Sequence, residues 1–235
     1  MAENKVLIYI VEDHDMIRES VKQYLVLSGY QVESFGTLKE EREAFGRKLP
    51  DLLIQDVMLP DGDGFLFVKD LHKEHEVPVI FMTARVEESD KILGFELGAD
   101  DYITKPFSPK ELVMRVKAVL RRQGKSDKPA VERKDGHFVM QDHTMDWNEK
   151  DHQLVVDGKE VVLTSAEWRI LAFLIYQTPE LVARSQILEK CFDYSLDSYD
   201  RIVDTHIKNI RSKLGGGPWI ETVRGYGYRF VGHRS

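Results

Sequence analysis

The chain has 235 residues, of which 42% are hydrophobic and 31% are charged, and this length predicts two globular domains that each bury a core. No apolar run reaches the ~18 residues of a membrane-spanning helix and the N-terminus lacks a secretion signal, so the sequence predicts a cytoplasmic protein without a membrane partner. A single cysteine, Cys191, excludes an internal disulfide. The formal net charge of −7 argues at first against a nucleic-acid-binding protein.

Four short apolar runs in the N-terminal half each end on residues that can contact phosphate or metal. These residues are Glu12, Asp13, Asp56, Thr83 and Lys105. Segments with helical periodicity separate the runs, and this alternation predicts a doubly wound α/β fold with a parallel sheet. Ligands bind at the carboxyl edge of such a sheet. We therefore expect three carboxylates, one hydroxyl and one amine to meet in a single crevice.

The helices of this half follow from apolar spacing. One contains Ile17, Val21, Tyr24 and Leu25, and it leads through a turn at Gly29 to a strand at Gln31–Phe35. Four more helices are predicted at about 37–47, 63–75, 86–97 and 109–122.

A polar segment at residues 124–136 contains glycine and proline and shows no periodicity. We interpret it as a flexible linker between a domain of residues 1–123 and a domain of residues 137–235. Alternating segments near 137–141, 144–148, 153–156 and 160–163 predict a small antiparallel sheet. A capping box at Thr164-Ser-Ala-Glu167 opens a helix, helices at about 184–191 and 198–214 follow, and a glycine-turned hairpin ends the chain. This order predicts an α+β winged helix-turn-helix domain.

The C-terminal end is basic although the chain is acidic. Seven Lys or Arg residues and three Asp or Glu residues lie between Ser198 and Ser235. A local basic surface of this kind is typical of a contact with nucleic acid.

The helix predicted at 198–214 has a polar face opposite its apolar stripe. At about 100° per residue the stripe contains Val203, Ile207, Ile210 and Leu214. The opposite face carries Thr205, Lys208, Asn209 and Ser212, with His206, Arg211 and Lys213 on its flanks. Central positions can reach base edges, so Asn209 could read adenine and Thr205 a thymine methyl group, while flanking cations more often contact phosphates. The alternative is a solvated polar face.

Asp56 is the predicted phosphoacceptor, because a carboxylate at a strand end can attack phosphorus as a nucleophile. Glu12 and Asp13 would repel an incoming phosphate, so the site requires Mg²⁺, or Mn²⁺, which prefers oxygen ligands. Lys105 would neutralise one phosphoryl oxygen and the Thr83 hydroxyl would donate to another. The alternative for any one of these side chains is a solvated loop position.

Several motifs of the N-terminal half resemble the receiver domain of two-component response regulators. They are Val11-Glu-Asp13, Asp56-Val-Met-Leu-Pro-Asp-Gly-Asp-Gly64, Thr83-Ala84, Gly98-Ala-Asp-Asp-Tyr102 and Lys105-Pro-Phe107. The C-terminal half resembles the OmpR/PhoB subfamily in Leu163-Thr164 with Glu167, Val203-Asp-Thr-His-Ile207, Arg211-Ser-Lys-Leu214 and Thr222-Val-Arg-Gly-Tyr-Gly-Tyr-Arg-Phe230. The resemblance covers nearly the whole chain.

The resemblance implies a flavodoxin-like (βα)5 receiver whose Asp56 accepts phosphate from a phosphohistidine on a sensor kinase. It implies that Asp13, Asp56 and the Met58 backbone carbonyl hold the metal, with Glu12 helping directly or through water. A cis peptide before Pro106 is also implied.

The resemblance further implies a switch in which Thr83 and Tyr102 move toward the phosphoryl group. It places a dimer face of crossed ion pairs on the fourth and fifth helices, which pair Lys91 with Glu111, Asp101 with Arg115 and Asp100 with Arg122. Read without the family, Glu111 would only serve a capping box that begins at Ser108 and pair with Arg115 at i+4. Arg224, before the wing turn, is implied to enter the minor groove.

The sequence thus predicts a phosphorylation-activated transcription regulator that binds direct-repeat DNA as a homodimer and engages RNA polymerase. It predicts no enzyme activity beyond the protein's own phosphorylation and dephosphorylation. One alternative is a haloacid-dehalogenase-type phosphatase, but that class places a second acid two residues after the nucleophile, where this chain has Met58. A further alternative is a constitutive DNA-binding protein whose receiver never switches.

Overall fold

The computed structural model describes residues 5–85, 87–122, 135–192, 200–215 and 217–235. The chain divides into two compact units, Met1–Ser126 and Asp127–Ser235. Residues 124–134 of the predicted linker lie outside the described part. None of the described helices is long and apolar enough to cross a membrane.

The first unit alternates strands with helices, as predicted. Its elements are β1 (Leu7–Val11), α1 (Asp15–Leu27), β2 (Gln31–Phe35), α2 (Leu38–Phe45), β3 (Leu52–Asp56), β4 (Met58–Leu59), β5 (Gly62–Asp63), α3 (Gly64–Leu71), β6 (Val79–Thr83), α4 (Glu88–Glu96), β7 (Asp101–Thr104) and α5 (Pro109–Arg122). Five strands form a parallel sheet in the order β2-β1-β3-β6-β7. This is the flavodoxin-like order, so the predicted fold is confirmed.

The three central strands are apolar runs because both faces of the sheet are covered. Every residue of β1, β3 and β6 is buried, which is typical of parallel strands between helices. The core combines strand residues such as Ile54 and Ile80 with Leu25 of α1 and Val116 of α5. The chain order reverses at β1 and β3, and a crevice opens at the carboxyl ends of strands at such a point.

Helices α2 and α3 are both shorter than the sequence predicts. The Thr37 side chain accepts the Glu40 N–H and begins α2 after residue 37. The prediction that α3 continues to residue 75 is wrong, since the helix ends at Leu71. Both ring nitrogens of the next residue, His72, lie 3.0 Å from backbone oxygens, those of Val77 and Leu97.

The described residues of the second unit form two antiparallel sheets and three helices. Its elements are β8 (Gly136–Met140), β9 (His143–Asn148), β10 (Gln153–Val156), β11 (Lys159–Glu160), α6 (Ser165–Gln177), β12 (Val182–Ala183), α7 (Arg184–Phe192), α8 (Asp200–Lys213), β13 (Ile220–Val223), β14 (Gly227–Phe230) and β15 (His233–Arg234). The sheet orders are β11-β10-β9-β8-β15 and β12-β14-β13. Strands β12 and β15 were not predicted, because a strand of two residues is too short to show a periodicity. The strand predicted near 160–163 is observed as β11, which ends at Glu160.

The predicted capping box at the start of α6 is confirmed, with the Glu167 carboxylate accepting the Thr164 N–H at 2.8 Å. The apolar stripe of α8 is also confirmed, since Val203, Ile207, Ile210 and Leu214 are all buried.

Strand β14 approaches β12 so closely that a Cβ at Gly227 would lie 2.0 Å from the Val182 carbonyl oxygen. The hairpin of β13 and β14, called the wing below, therefore packs directly against the strand that precedes α7.

Candidate phosphoryl-transfer site and nucleic-acid interface

Three carboxylates converge at the carboxyl edge of the first sheet. Glu12 and Asp13 follow β1, and Asp56 is the last residue of β3. These strands are adjacent and in register, with Val11 opposite Gln55. One oxygen from each carboxylate lies within 4.8 Å of the others; Glu12 and Asp56 are buried and Asp13 is exposed.

Lys105 joins two of these carboxylates. It follows β7, and its Nζ lies 2.5 Å from Glu12 Oε2 and 2.6 Å from Asp56 Oδ2. The peptide bond between Lys105 and Pro106 is cis, as the family resemblance implied. The amine predicted to neutralise a phosphoryl oxygen is therefore in contact with the predicted phosphoacceptor.

Burial and charge act in opposite directions on this group. Burial raises the pKa of the Glu12 carboxyl group, and the hydrogen bond from Lys105 only partly offsets this effect. Burial alone would lower the pKa of Lys105, but its hydrogen bonds to Asp56 and Glu12 prevail and raise it. The amine is therefore held as an ammonium ion between the two acids.

The oxygen donors of this crevice fit a hard divalent cation. Three carboxylates face one ammonium group, which leaves an excess of negative charge. The Met58 backbone also lies at the site, since its N–H donates to Asp56 Oδ1 at 3.1 Å. Oxygen ligands with net negative charge are those that Mg²⁺ prefers. The Met58 side chain is exposed, and it stands where a dehalogenase-type phosphatase has its second acid.

Thr83 and Tyr102 both contact Arg85, at the start of the segment that follows β6. The Thr83 hydroxyl oxygen accepts the Arg85 N–H at 3.1 Å, and the Tyr102 hydroxyl donates to the Arg85 carbonyl at 3.0 Å. Both side chains are buried, and burial raises the pKa of Tyr102. The Arg85 guanidinium lies 3.6 Å from Asp63 and 3.7 Å from Asp90. The two predicted switch residues thus converge on one residue.

The six positions of the predicted dimer face have different surroundings. Within the chain Arg115 pairs with Asp101 at 2.9 Å and with Glu111 at 3.0 Å. Lys91 on α4 and Arg122 at the end of α5 are half-buried. Asp100 departs from the prediction, because it is fully buried and its carboxylate accepts the Val79 N–H at 2.9 Å. It anchors the start of β6 and is not presented on the surface.

The polar face of α8 is only partly available to a partner. Lys208 and Ser212 are exposed, whereas Thr205 and Asn209 are half-buried. The expectation that His206 faces DNA is wrong. Its ring is fully buried and stacks on Phe192 of α7, with ring centroids 5.4 Å apart. Burial, assisted by the positive charges of Arg169 and Lys213, lowers the pKa of His206 to about 3 and keeps the ring neutral.

Both predicted flanking cations contact the protein itself. The Arg211 guanidinium donates to the Ile220 carbonyl at 2.6 Å and to the Thr222 hydroxyl at 2.7 Å. Lys213 Nζ lies 2.6 Å from the carboxylate of Glu167, which is buried. Arg224, at the wing turn, is exposed beside Gly225, whose φ of +80° suits glycine.

Sequence reasoning missed a polar cluster formed by Arg184, Asp204 and Tyr228. The three residues lie on α7, α8 and β14 and meet through hydrogen bonds to the Asp204 carboxylate. Arginine, aspartate and tyrosine separated by 20 and 24 residues form no local pattern. Only the packing of the three elements brings them together.

Comparison with known families assigns both halves of the chain. Residues 8–117 match the model of the response regulator receiver domain. Residues 158–230 match the model of the transcriptional regulatory protein, C terminal.

Similar proteins match along nearly the full length. The chain is 34% identical to the uncharacterized transcriptional regulatory protein YclJ of Bacillus subtilis over 226 residues, which cover 95% of this chain and 98% of that protein. It is 35% identical to the transcriptional regulatory protein SrrA of Staphylococcus aureus, covering 95% of this chain and 94% of SrrA. A crystal structure of DrrB, a Thermotoga maritima OmpR/PhoB homologue, has a TM-score of 0.51 and 30% identity and covers 97% of this chain and 99% of DrrB.

Proposed function

Because the chain belongs to the OmpR/PhoB family of two-component response regulators and is a phosphorylation-activated transcription regulator, we propose that Asp56 accepts the phosphoryl group from a sensor histidine kinase. One observation carries this proposal. Asp56 is buried at the end of β3 with Lys105 2.6 Å away and two further carboxylates beside it. A nucleophile, a phosphate-binding cation and metal ligands are thus assembled in one crevice.

In the proposed transfer the Asp56 carboxylate attacks the phosphorus of a phosphohistidine, the P–N bond breaks and the imidazole leaves. Lys105 then turns from Asp56 to a phosphoryl oxygen, and the Thr83 hydroxyl donates to another. Asp13, Asp56 and the Met58 carbonyl would hold Mg²⁺ or Mn²⁺, with Glu12 helping directly or through water. That ion supplies positive charge against the phosphoryl oxygens. Hydrolysis of the same acyl phosphate would return the protein to its unphosphorylated state. The proposed catalysis is thus limited to the protein's own phosphorylation and dephosphorylation.

The proposed switch starts at Thr83. Its hydroxyl now accepts the Arg85 N–H, while Tyr102 holds the Arg85 carbonyl. Movement of the Thr83 hydroxyl toward the phosphoryl group would free that N–H, and Tyr102 would follow. The segment after β6 would then change conformation, which links the chemistry at Asp56 to α4.

The signal would be read out through a homodimer on α4, β7 and α5. We propose that Lys91, Asp101, Glu111, Arg115 and Arg122 form its ion pairs, with Asp100 supporting them from within. Since Asp101 and Arg115 are already paired within the chain, dimerisation would exchange or share existing pairs. Two DNA-binding units would then occupy a direct repeat, in the cytoplasm and beside RNA polymerase.

In the proposed DNA complex α8 lies in the major groove. Thr205 and Asn209 would contact base edges and Lys208 and Ser212 would contact phosphates. Arg224 would enter the adjacent minor groove. We do not include Arg211 and Lys213 among the proposed DNA contacts. The charged group of Arg211 is already bonded to the wing and that of Lys213 to Glu167.

Phosphorylation itself is the direct test. Acetyl phosphate with Mg²⁺ should label the wild-type chain once and leave Asp56→Asn unlabelled, because an amide cannot attack phosphorus. Asp70→Asn is the matched control, since Asp70 lies on the exposed surface of α3 and pairs only with Lys73 among the described residues; it should be labelled like the wild type. Equal labelling of Asp56→Asn would reject the assignment of the phosphoacceptor.

A further inference from the structure

Asp204 is the centre of a hydrogen-bonded cluster that joins three elements. Its Oδ1 accepts Arg184 Nε at 2.6 Å and the Tyr228 hydroxyl at 2.5 Å. Arg184 Nη2 in turn donates to the Tyr228 hydroxyl oxygen at 3.3 Å, and the guanidinium carbon lies 4.8 Å from the centre of the Tyr228 ring. The start of α7, the first half of α8 and the wing strand β14 are therefore tied to one carboxylate.

The cluster is well suited to hold its geometry. Tyr228 is buried, and burial together with its bond to Asp204 raises its pKa to about 12, so the hydroxyl remains a donor. The hydrogen bond from Arg184 to Asp204 is charged on both sides, and such bonds are stronger than neutral ones. Arg184 also neutralises Asp204, which would otherwise set a negative charge on a helix that approaches phosphates.

Asp204 shares its flank of α8 with Arg211, seven residues later, and this flank faces the wing. Arg211 donates to Ile220 and Thr222 of β13, and its guanidinium lies 5.8 Å from the Tyr228 ring. The helix is thus connected to both wing strands, to β13 through Arg211 and to β14 through Asp204. Two connections seven residues apart fix the angle between α8 and the wing, whereas a single connection would allow the wing to rotate about it.

We propose that Arg184, Asp204 and Tyr228 form a latch that holds the wing at a fixed angle to α8, so that both reach one DNA segment together. The inference rests on the proposed DNA-binding function. A wing that is already ordered before binding loses no conformational freedom when it contacts DNA. The affinity for DNA is therefore higher than with a mobile wing. Asp204 and Tyr228 are then positioning residues, which act on DNA affinity through the wing.

The test compares Tyr228→Phe, Asp204→Asn and the double variant in the full chain. Tyr228→Phe keeps the buried ring and Asp204→Asn keeps the side-chain size, so both changes preserve packing. The probe is a duplex selected from random-sequence DNA by the wild-type chain with beryllofluoride and Mg²⁺. Glu221→Gln is the matched control, because it alters the exposed pair with Arg229 inside the wing and leaves the latch intact.

Each single variant should bind the duplex about tenfold more weakly, the effect of one charged hydrogen bond. The double variant should lose no more than about tenfold, since both changes open the same latch, and Glu221→Gln should stay within about twofold. Without DNA, amide hydrogen exchange should become faster in residues 220–230 of both single variants and remain unchanged in α6. This second measurement detects a loosened wing directly.

Losses that multiply to about a hundredfold in the double variant would show that the two side chains act separately, and the latch would be rejected. Wild-type affinity or unchanged wing exchange in the single variants would reject it as well. If the wild-type chain enriches no DNA sequence, the proposed DNA-binding function fails instead. Hydrogen exchange would still decide whether the cluster holds the wing.

Discussion

Lys213 in the last turn of α8 donates to Glu167 in the first turn of α6 across 2.6 Å. Glu167 is buried, and the same carboxylate oxygen also accepts the Thr164 N–H that closes the capping box. The start of one helix is thereby tied to the end of another. A lysine that the sequence places on a DNA-facing flank is thus part of the packing of its own domain.

Lys213→Met should therefore destabilise the second unit. The change leaves a buried carboxylate with one partner fewer, which costs about 1–3 kcal/mol. Urea unfolding followed by fluorescence of the tryptophans, all three of which lie in that unit, measures the loss. Lys208→Met is the control, because Lys208 is exposed on the same helix. Equal midpoints for the two variants would show that the pair with Glu167 does not stabilise the fold.

A second prediction concerns Glu41 of α2, which is fully buried and whose carboxylate oxygens accept no hydrogen bond from the described residues. Burial raises the pKa of Glu41 to about 9. The folded state therefore keeps a proton that the unfolded chain releases above its ordinary pKa of 4.5. The stabilisation of the folded state by this bound proton is fully present below pH 4.5 and is lost as the pH rises toward 9. The free energy of unfolding should fall by up to ~1.4 kcal/mol per pH unit in that window.

Glu41→Gln removes this titration, so its stability should exceed that of the wild type increasingly as the pH rises. Urea unfolding of the first unit at pH 5.5, 7 and 8.5, monitored by amide exchange of the core strands, measures the difference in midpoint between the variant and the wild type. Glu43→Gln, an exposed change on the same helix, should run parallel to the wild type. Parallel curves for Glu41→Gln would mean that the carboxyl group is not protonated in the folded state.

The sequence predicted the elements that repeat a pattern and the residues that end them. Short apolar runs predicted the strands, and because parallel strands share an edge, the sequence alone places Glu12, Asp56 and Lys105 together. Orientation around α8 was harder. An ideal wheel places His206 and Lys213 on one flank and Arg211 on the other, but periodicity does not reveal what packs there. Phe192, Glu167 and the wing strands occupy those flanks, and they come from elsewhere in the chain.

A third prediction separates phosphorylation from switching at Lys105. Lys105→Ala keeps the Asp56 nucleophile, so acetyl phosphate should still label it in part. The variant lacks the ammonium group that would follow the phosphoryl oxygen, so phosphorylation should no longer raise its DNA affinity. Labelling and DNA binding are measured on the same sample. Lys110→Ala, an exposed change on α5, should keep both. Full activation of Lys105→Ala would exclude Lys105 from the switch.

The fourth prediction concerns assembly through Arg115. Beryllofluoride with Mg²⁺ mimics the phosphoryl group and should convert monomers to dimers in sedimentation velocity. Arg115→Glu should prevent this, because it places a third carboxylate beside Asp101 and Glu111 and opposes both existing pairs. Lys39→Glu makes the same charge change at an exposed position of α2 and should dimerise normally. A dimer that forms in Arg115→Glu would point to a different face.

The final prediction distinguishes base reading from phosphate contact on α8. Asn209→Ala should lose discrimination between sequences by about 1–3 kcal/mol, the worth of one good base contact. Lys208→Ala should weaken binding to all sequences alike and lower the slope of log affinity against log salt by about one. Binding is measured at several salt concentrations on the selected duplex and on a scrambled one. Lys159→Ala is the control, because it removes an exposed positive charge from β11 of the same unit, and it should alter neither property.

The same duplex tests the arrangement of two DNA-binding units. Direct repeats bound side by side should have half-sites about one helical turn apart, so moving one half-site by about five base pairs turns it to the opposite side of the DNA. That displacement should reduce the affinity of the activated dimer, and a shift by a full turn should restore part of it. Binding that ignores the half-turn, together with unchanged sequence preference in Asn209→Ala, would reject both the docking of α8 and the direct-repeat dimer.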